Sequence, residues 1–286
     1  MKIWKLIKAY GLDAIALVVV GIFFIVPFVF IVLTASKGRQ EAGLFEFTLP
    51  SQFLLFENMI EVLTFRDFRM GRALLNSSLL TVASVTLIVL FAATLIVLFA
   101  AMVAYVLQRR NDRMANLVNS VLFAGLVLPP AVVPTLFLLQ WIGLYKTLFG
   151  LIFVEVALAL PFAIVVLRAF IGSIPREIDE AAIMDGASPM QLFFSIILPL
   201  LWPAVVTVIV TSSVAIYNDF SNPLYFLPGE ANVTAQLTLF SFMSQFNSQW
   251  NLLFADVIII TIPPLILFMF FQRQIVSGMT SGAVKG

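Results

Sequence analysis

Histidine and cysteine are both absent from this chain, and only 11% of its residues are charged. Without imidazole or thiol, the usual zinc sites, disulfides, thiol nucleophiles and histidine acid–base chemistry are excluded. A GxxxxGK[ST] loop is also missing, so P-loop nucleotide binding is not expected. The net charge of +1 argues against a nucleic-acid surface. What is present is apolar: 62% of the 286 residues are hydrophobic, and the mean hydropathy is +1.08. One soluble core could not hide that much apolar surface, so the bilayer is the expected solvent.

Six apolar stretches, at about 14–35, 73–107, 117–142, 148–170, 197–219 and 252–272, are each long enough to cross a hydrocarbon core of ~30 Å. The first follows "MKIWKLIKAYGLD" and is too long for a signal-peptide core, so it is expected to be retained. With the N-terminus inside, the cytoplasmic pieces hold Lys2, Lys5, Lys8, Arg109, Arg110, Arg113, Arg168, Arg176, Arg273 and Lys285. The outside pieces hold Lys37, Arg39, Arg66, Arg69, Arg72 and Lys146. Ten against six places both termini in the cytoplasm. The first external loop, 37–72, contains "FLLFENMIEVLTF", which suits an interfacial helix or a small cap. The expected organisation is a first helix and external loop over 1–72, then a membrane core over 73–286.

The second stretch carries an internal repeat. "TLIVLFAA" occurs as Thr86–Ala93 and again as Thr94–Ala101. With its flanks it makes an apolar run of about 35 residues, or ~52 Å as a helix, which overshoots the bilayer even when tilted. One copy advances a helix by ~12 Å and turns it about 80° beyond two full turns. We read it as a tandem duplication without a function of its own; the alternative is a helix extended beyond the membrane.

Between the fourth and fifth stretches lies "EAAIMDGASPMQLFFSIILP", Glu180 to Pro199. Ile174–Pro175 suits a helix start, and "REIDEAAIM" supplies helix formers with acids in the first turns. Gly186 is free to adopt the left-handed conformation that stops a helix. Ser188-Pro189-Met190-Gln191 is a capping box with proline at the first helical position. The expectation is two helices meeting at a glycine elbow, within 174–195, the second running through "LFFSIILP" straight into the fifth span. Ala181 and Ala182 are small enough to let another surface approach the backbone.

The spacing Glu180-Ala181-Ala182, three residues, Gly186, nine residues, then Ile196-x-Leu198-Pro199 resembles the EAA signature of ATP-binding-cassette importer permeases. The tail "FFQRQIVSGMTSGAVKG", together with "AIYNDFSNPLYFL", "NSQWNLLFADVIIITIPPL" and "LFENMIEVL", is similar to the smaller membrane subunit of maltose-type carbohydrate importers. The resemblance implies an all-α, six-span polytopic membrane protein with the type I importer permease fold, non-enzymatic and multi-pass in the cytoplasmic membrane. It implies that Glu180, Ala181, Ala182, Asp185, Gly186, Leu198 and Pro199 form a coupling segment docked on an ATPase. It also implies a tail, with Gly278, Gly282 and Lys285, threading between two ATP-binding subunits. The implied partners are those two subunits, a second homologous permease subunit as heterodimer, an extracytoplasmic sugar-binding protein reached by a loop over 228–250, and membrane lipid. ATP and Mg would sit on the partners, with no cofactor or metal on this chain and no nucleic acid.

Polar and aromatic residues at span ends are the candidates for a sugar path. They are Tyr217, Asn218 and Asp219 after the fifth span and Trp250 and Asp256 in the sixth, with Gln140, Trp141, Tyr145, Glu155 and Asn251 nearby. Carboxylates and amides suit hydroxyls and flat rings suit C–H faces, although an aromatic belt has the same composition. In the maltose-type family the partner membrane subunit supplies much or all of the sugar site. A secondary transporter working without an ATPase is the alternative function; it predicts inverted repeats and ionisable groups near the midplane.

If the repeat is a bare duplication, deleting Thr94–Ala101 restores a span of about 27 residues and leaves membrane assembly intact. Loss of assembly on deletion, with the parent chain active in transport, would show that the long helix is an architectural part.

Overall fold

The computed structural model describes residues 2–95, 113–229, 233–243 and 248–283. In chain order these form α1 (Lys2–Ala35), α2 (Arg39–Ala42), α3 (Leu55–Leu95), α4 (Arg113–Val127), α5 (Val132–Trp141), α6 (Leu148–Ile171) and α7 (Arg176–Met184). They continue with α8 (Pro189–Leu200), α9 (Trp202–Asn218), α10 (Ser221–Phe226), α11 (Ala235–Thr238) and α12 (Trp250–Ala283). No strand occurs among the described residues.

Among the described residues, three helical segments are long and apolar enough to cross a membrane: Ala16–Ala35, Leu148–Ile171 and Trp250–Gln272. The pair α8–α9 makes a fourth when its bend is counted within one span. Along α1, Leu17, Phe23, Phe24 and Phe28 are all more than half exposed. Each such side chain gains about 1.5–3 kcal/mol on leaving water, so a row of them requires lipid around it.

Four expectations change. The segment 37–72 is not a loop with an interfacial helix: from Leu55 it is the beginning of α3, continuous with the second span. Its charged residues hide this from hydropathy, yet none of them is a helix breaker. The third stretch is divided into α4 and α5 by Pro129 and Pro130, which remove two backbone donors in succession. The fifth span is not entered straight: α8 and α9 meet at 67°. Finally, α12 passes through Pro263 and Pro264 and runs on to Ala283, so most of the supposed tail is helical. Gly278 and Gly282 weaken that helix by roughly 1 kcal/mol each without terminating it. The second repeat copy, from Ile96, lies outside the described residues.

The chain divides into two compact units, Met1–Gly71 with Leu237–Ile262 and Arg72–Gln236 with Pro263–Gly286. In the first unit, buried amides tie the end of α1 down. Asn58 Nδ2 donates to the carbonyls of Ala35 at 2.7 Å and Lys37 at 3.0 Å. Asn251 Nδ2 in turn donates to Asn58 Oδ1 at 2.9 Å. Lys37, only 1% exposed, turns inward and donates to the Glu46 carbonyl and to Thr48 Oγ1. Phe45 meets Trp250 edge-on at 4.8 Å, and Phe30 meets Phe254 at 5.7 Å.

The second unit has its core where α6 packs against α9, with Leu151, Ala163, Leu167, Ala204 and Val208 buried there and Phe226 of α10 joining them. Small residues at Ala163 and Ala204, both 0% exposed, let the core close. Gly150 allows another close approach: a Cβ there would collide with the Leu144 carbonyl.

Asn58→Leu would strip three hydrogen bonds from a buried site and should destabilise the first unit by about 3 kcal/mol. Asn251→Leu, which loses one of the three, should cost about a third of that. Denaturant midpoints in detergent check both; equal midpoints for Asn58→Leu and the parent would remove the network's structural role.

Candidate functional site

The elbow forms as its sequence dictates. At the end of α7 the Gly186 amide donates to Ile183 O and the Ala187 amide to Ala182 O, each at 3.0 Å. These are the two bonds of a Schellman motif, and Gly186 has the left-handed φ of +79° that the motif needs. Two residues on, Ser188 Oγ accepts from the Gln191 amide at 3.3 Å, while Gln191 Oε1 accepts from the Ser188 amide at 2.9 Å. The capping box is complete, with Pro189 at the first helical position. Two helix ends are thus satisfied within a handful of residues, and the turn between them has little freedom.

The elbow's side chains separate by face. Ala182 is buried, while Glu180, Ala181, Asp185 and Gly186 are exposed. Ile183 is 58% exposed, Met184 86% and Met190 60%. Sequence reasoning missed these three. The available signal was that Ile183 and Met184 lie off the i, i+4 line joining Ile178 to Ala182, the line that faces the protein. Asp179 also lies partly under cover. That partial burial lifts its carboxyl above the usual range, Arg176 pulls it back, and Glu180 adds to the rise.

Beyond the capping box, Leu192–Ile197 winds as a π-helical turn, with the Leu198 amide reaching back to Phe193 O. Pro199 explains it: its ring collides with the carbonyl four residues earlier, and a wider turn makes room. Leu198 is half-buried and Pro199 exposed. The chain then bends at Leu201, which is 2% exposed, and Pro203 stands in the first turn of α9.

The span-end candidates fall in two places. In the second unit, Tyr217 is buried, Asn218 is exposed and Asp219 is half-buried. Asn218 Oδ1 accepts from Gln236 Nε2 at 3.2 Å. Asp219 Oδ1 accepts from the amides of Ser221, at 2.8 Å, and Asn222, at 3.3 Å, and so starts α10. Buried Glu155 Oε1 accepts from Asn222 Nδ2 at 3.3 Å. In the first unit, Trp250 packs on Phe45, and Asp256, fully enclosed, accepts from Thr238 Oγ1 at 2.9 Å. Asp256 therefore anchors the polar segment that precedes α12. Of the 228–250 segment, residues 230–232 and 244–247 lie outside the described residues, as does Lys285 of the tail. Gly278 and Gly282 stand in the last turns of α12.

A family model for the binding-protein-dependent transport system inner membrane component matches residues 96–281. The chain is 30% identical over 273 residues to the diacetylchitobiose uptake system permease protein NgcG of Streptomyces coelicolor, covering 94% of this chain and 87% of that one. It is 27% identical over 264 residues to the melibiose/raffinose/stachyose import permease protein MelC of Bacillus subtilis, covering 91% of each. A solved bacterial ABC transporter involved in the import of the acidic polysaccharide alginate has a chain that superposes with a TM-score of 0.69. That match has 19% identity and covers 95% of this chain and 96% of the other. The likeness is one of fold.

Among the described residues, none beyond its two chain neighbours comes within 4 Å of where a Cβ on Gly186 would stand, so a side chain there would meet a conformational penalty and no clash. Gly186→Val should cost the elbow about 1–2 kcal/mol, and Gly186→Asn much less. Hydrogen exchange at the Ala187 amide should quicken roughly tenfold in the valine variant; unchanged exchange would mean the turn does not depend on the left-handed residue.

Proposed function

This chain belongs to the binding-protein-dependent transport system inner membrane components, and we propose that it couples sugar import to a partner ATPase through the elbow between α7 and α8. It is a multi-pass permease and not an enzyme. Its relatives' names point to oligosaccharides: diacetylchitobiose in one case, melibiose, raffinose and stachyose in another. The proposed assembly has this chain beside a second homologous permease subunit, with two ATP-binding subunits that hold ATP and Mg, and with a sugar-binding protein on the far side. Both termini lie in the cytoplasm, on the side of the elbow.

The observation that carries the coupling role is the exposed apolar edge of a doubly capped elbow. Ile183 and Met184 project from a turn fixed by the Gly186 and Ala187 amides, with Ala182 holding α7 to its own chain. A solvated helix has no use for an 86% exposed methionine next to a 58% exposed isoleucine; a docking knob does. Glu180 and Asp185 flank the knob with charge suited to a polar rim. A secondary transporter would leave this edge without a partner. The last turns of α12, with Gly278 and Gly282, give a second contact to the ATPase by allowing close backbone approach, and Lys285 supplies a cation there.

Burying Met184 in a cleft is worth about 1.5–3 kcal/mol, so Met184→Glu should weaken ATPase association ten- to a hundredfold. Membrane insertion should be unchanged and sugar-stimulated ATP hydrolysis should fall in proportion. Ending the chain after Val276 should weaken the same association if the tail docks. Full ATPase stimulation in the Met184→Glu complex would overturn the docking role.

A further inference from the structure

We propose that the loop joining α2 to α3 is a membrane anchor. Closed between Glu41 and Ser51, it seats an apolar tip, with Leu44, Phe47 and Leu49, in the lipid interface at the C-terminal end of α1. The inference needs α1 to span the membrane and draws nothing from the coupling or sugar readings. Only the name of that leaflet, the outer one, rests on the orientation proposed above.

The loop is closed twice. At its base the Glu41 carboxylate accepts from the Ser51 amide at 3.1 Å and from Ser51 Oγ at 2.9 Å. Inside it, buried Lys37 donates from Nζ to Glu46 O at 2.8 Å and to Thr48 Oγ1 at 2.9 Å, one on each side of Phe47. Between these ties the apolar side chains are left uncovered: Leu44 is 65% exposed, Phe47 55% and Leu49 82%. Polar atoms bond inward and apolar groups face out, the reverse of a loop built for water.

The depth of the tip follows from its ring contacts. Phe47 stacks on Phe30 with centroids 6.2 Å apart. Phe30 stands five residues before the end of the Ala16–Ala35 span, or ~7.5 Å down the helix. Interfacial elements bury their apolar side about 5–10 Å into the headgroup–acyl boundary, which is the level of Phe47. Phe45 keeps a left-handed φ of 53°, a position glycine would hold without strain. What phenylalanine adds there is its ring against Trp250, an aromatic suited to the same interface.

Continuity with the lipid face of α1 selects lipid as the occupant. Phe23 and Val26, seven and four residues before Phe30, share its side of the helix. They are 74% and 45% exposed, so the surface that the span turns to lipid leads directly up to Phe47. Glu46, exposed beside Phe47, sets the limit. A carboxylate is costly in hydrocarbon, so the tip goes no deeper than the boundary.

The absence of cysteine provides a direct test. Leu44→Cys and Leu49→Cys each carry one nitroxide label, and Phe28→Cys gives the reference inside the span. The assembled complex is placed in liposomes, with the complex of the cysteine-free chain as blank. Collisions of the label with oxygen, which enriches in hydrocarbon, are compared with those of a neutral nickel chelate, which stays in water. Relative to free label in buffer, the oxygen-to-nickel ratio should rise at least about threefold at both loop sites and stay below that at Phe28. A ratio equal to that of the free label at either site puts the loop in water. Low collision rates with both probes put it under protein. Either result overturns the anchor and leaves the importer reading untouched.

Discussion

Hydrocarbon offers no hydrogen bonds, so every interruption of a helix in this chain must be answered by the chain itself. That constraint accounts for where its scarce polar groups stand. At the end of α1 the Val32 carbonyl is taken by Ser36 Oγ and the Ala35 carbonyl by Asn58, and just beyond it the Ser36 carbonyl accepts the Leu54 amide. At the end of α5 the Leu139 carbonyl accepts the amides of both Leu144 and Tyr145. Thr147 Oγ1 accepts the Gly150 amide as α6 begins, and Asp219 does the same for α10. Polar residues in this sequence are helix-end chemistry first.

Prolines obey the same rule from the other side. Each takes a donor away, and the structure shows three ways of absorbing the loss. Pro27 and Pro161 are carried inside helices that continue past them. Pro129 and Pro130, in succession, end one helix and force a new start. Pro199 widens the turn before it, and with Pro203 it flanks the 67° bend between α8 and α9. Pairing alone does not decide the outcome, since α12 also carries the adjacent Pro263 and Pro264 without ending, whereas Pro129–Pro130 and the spaced Pro199 and Pro203 change the path.

The local rules were legible in the sequence, and the long-range pairings were not. The capping box at Ser188–Gln191 and the left-handed Gly186 follow from spacing alone, because each depends on four or five consecutive residues. The EAA spacing gave the family for the same reason. Hydropathy found the spans but misjudged their ends, since it cannot see that the charged stretch before Gly71 continues α3 or that α12 runs on past Gln272. Nor could it divide 117–142, where apolarity is unbroken across the proline pair. The contact of Asn251 with Asn58 joins residues 193 apart, and Asn222 reaches Glu155 across 67. Nothing local announces such pairs. The exposed Ile183 and Met184 lay between: the helical repeat around Ala182 held the signal, but apolar residues in an apolar chain attract no notice.

The stiffness of the elbow bears on what the segment from α7 to α9 can transmit. Between Ala182 and Gln191 four hydrogen bonds fix the turn, two in the Schellman motif and two in the capping box. A load applied at Met184 therefore reaches α8 without being absorbed at Gly186. Compliance begins only at the π-helical turn, where the hydrogen-bond ladder is widened, and at Leu201. Yet Leu201 is itself buried and continues into the packed residues Ala204, Val205 and Val208. A displacement of the elbow must then either repack that core or rotate α9 as a body, and interiors packed to solid density favour the second. Glu155 lies on the helix that packs against α9, and Asp219 directly follows α9. The rotation that would carry a signal from the elbow would thus also move the Glu155 and Asp219 side chains relative to each other.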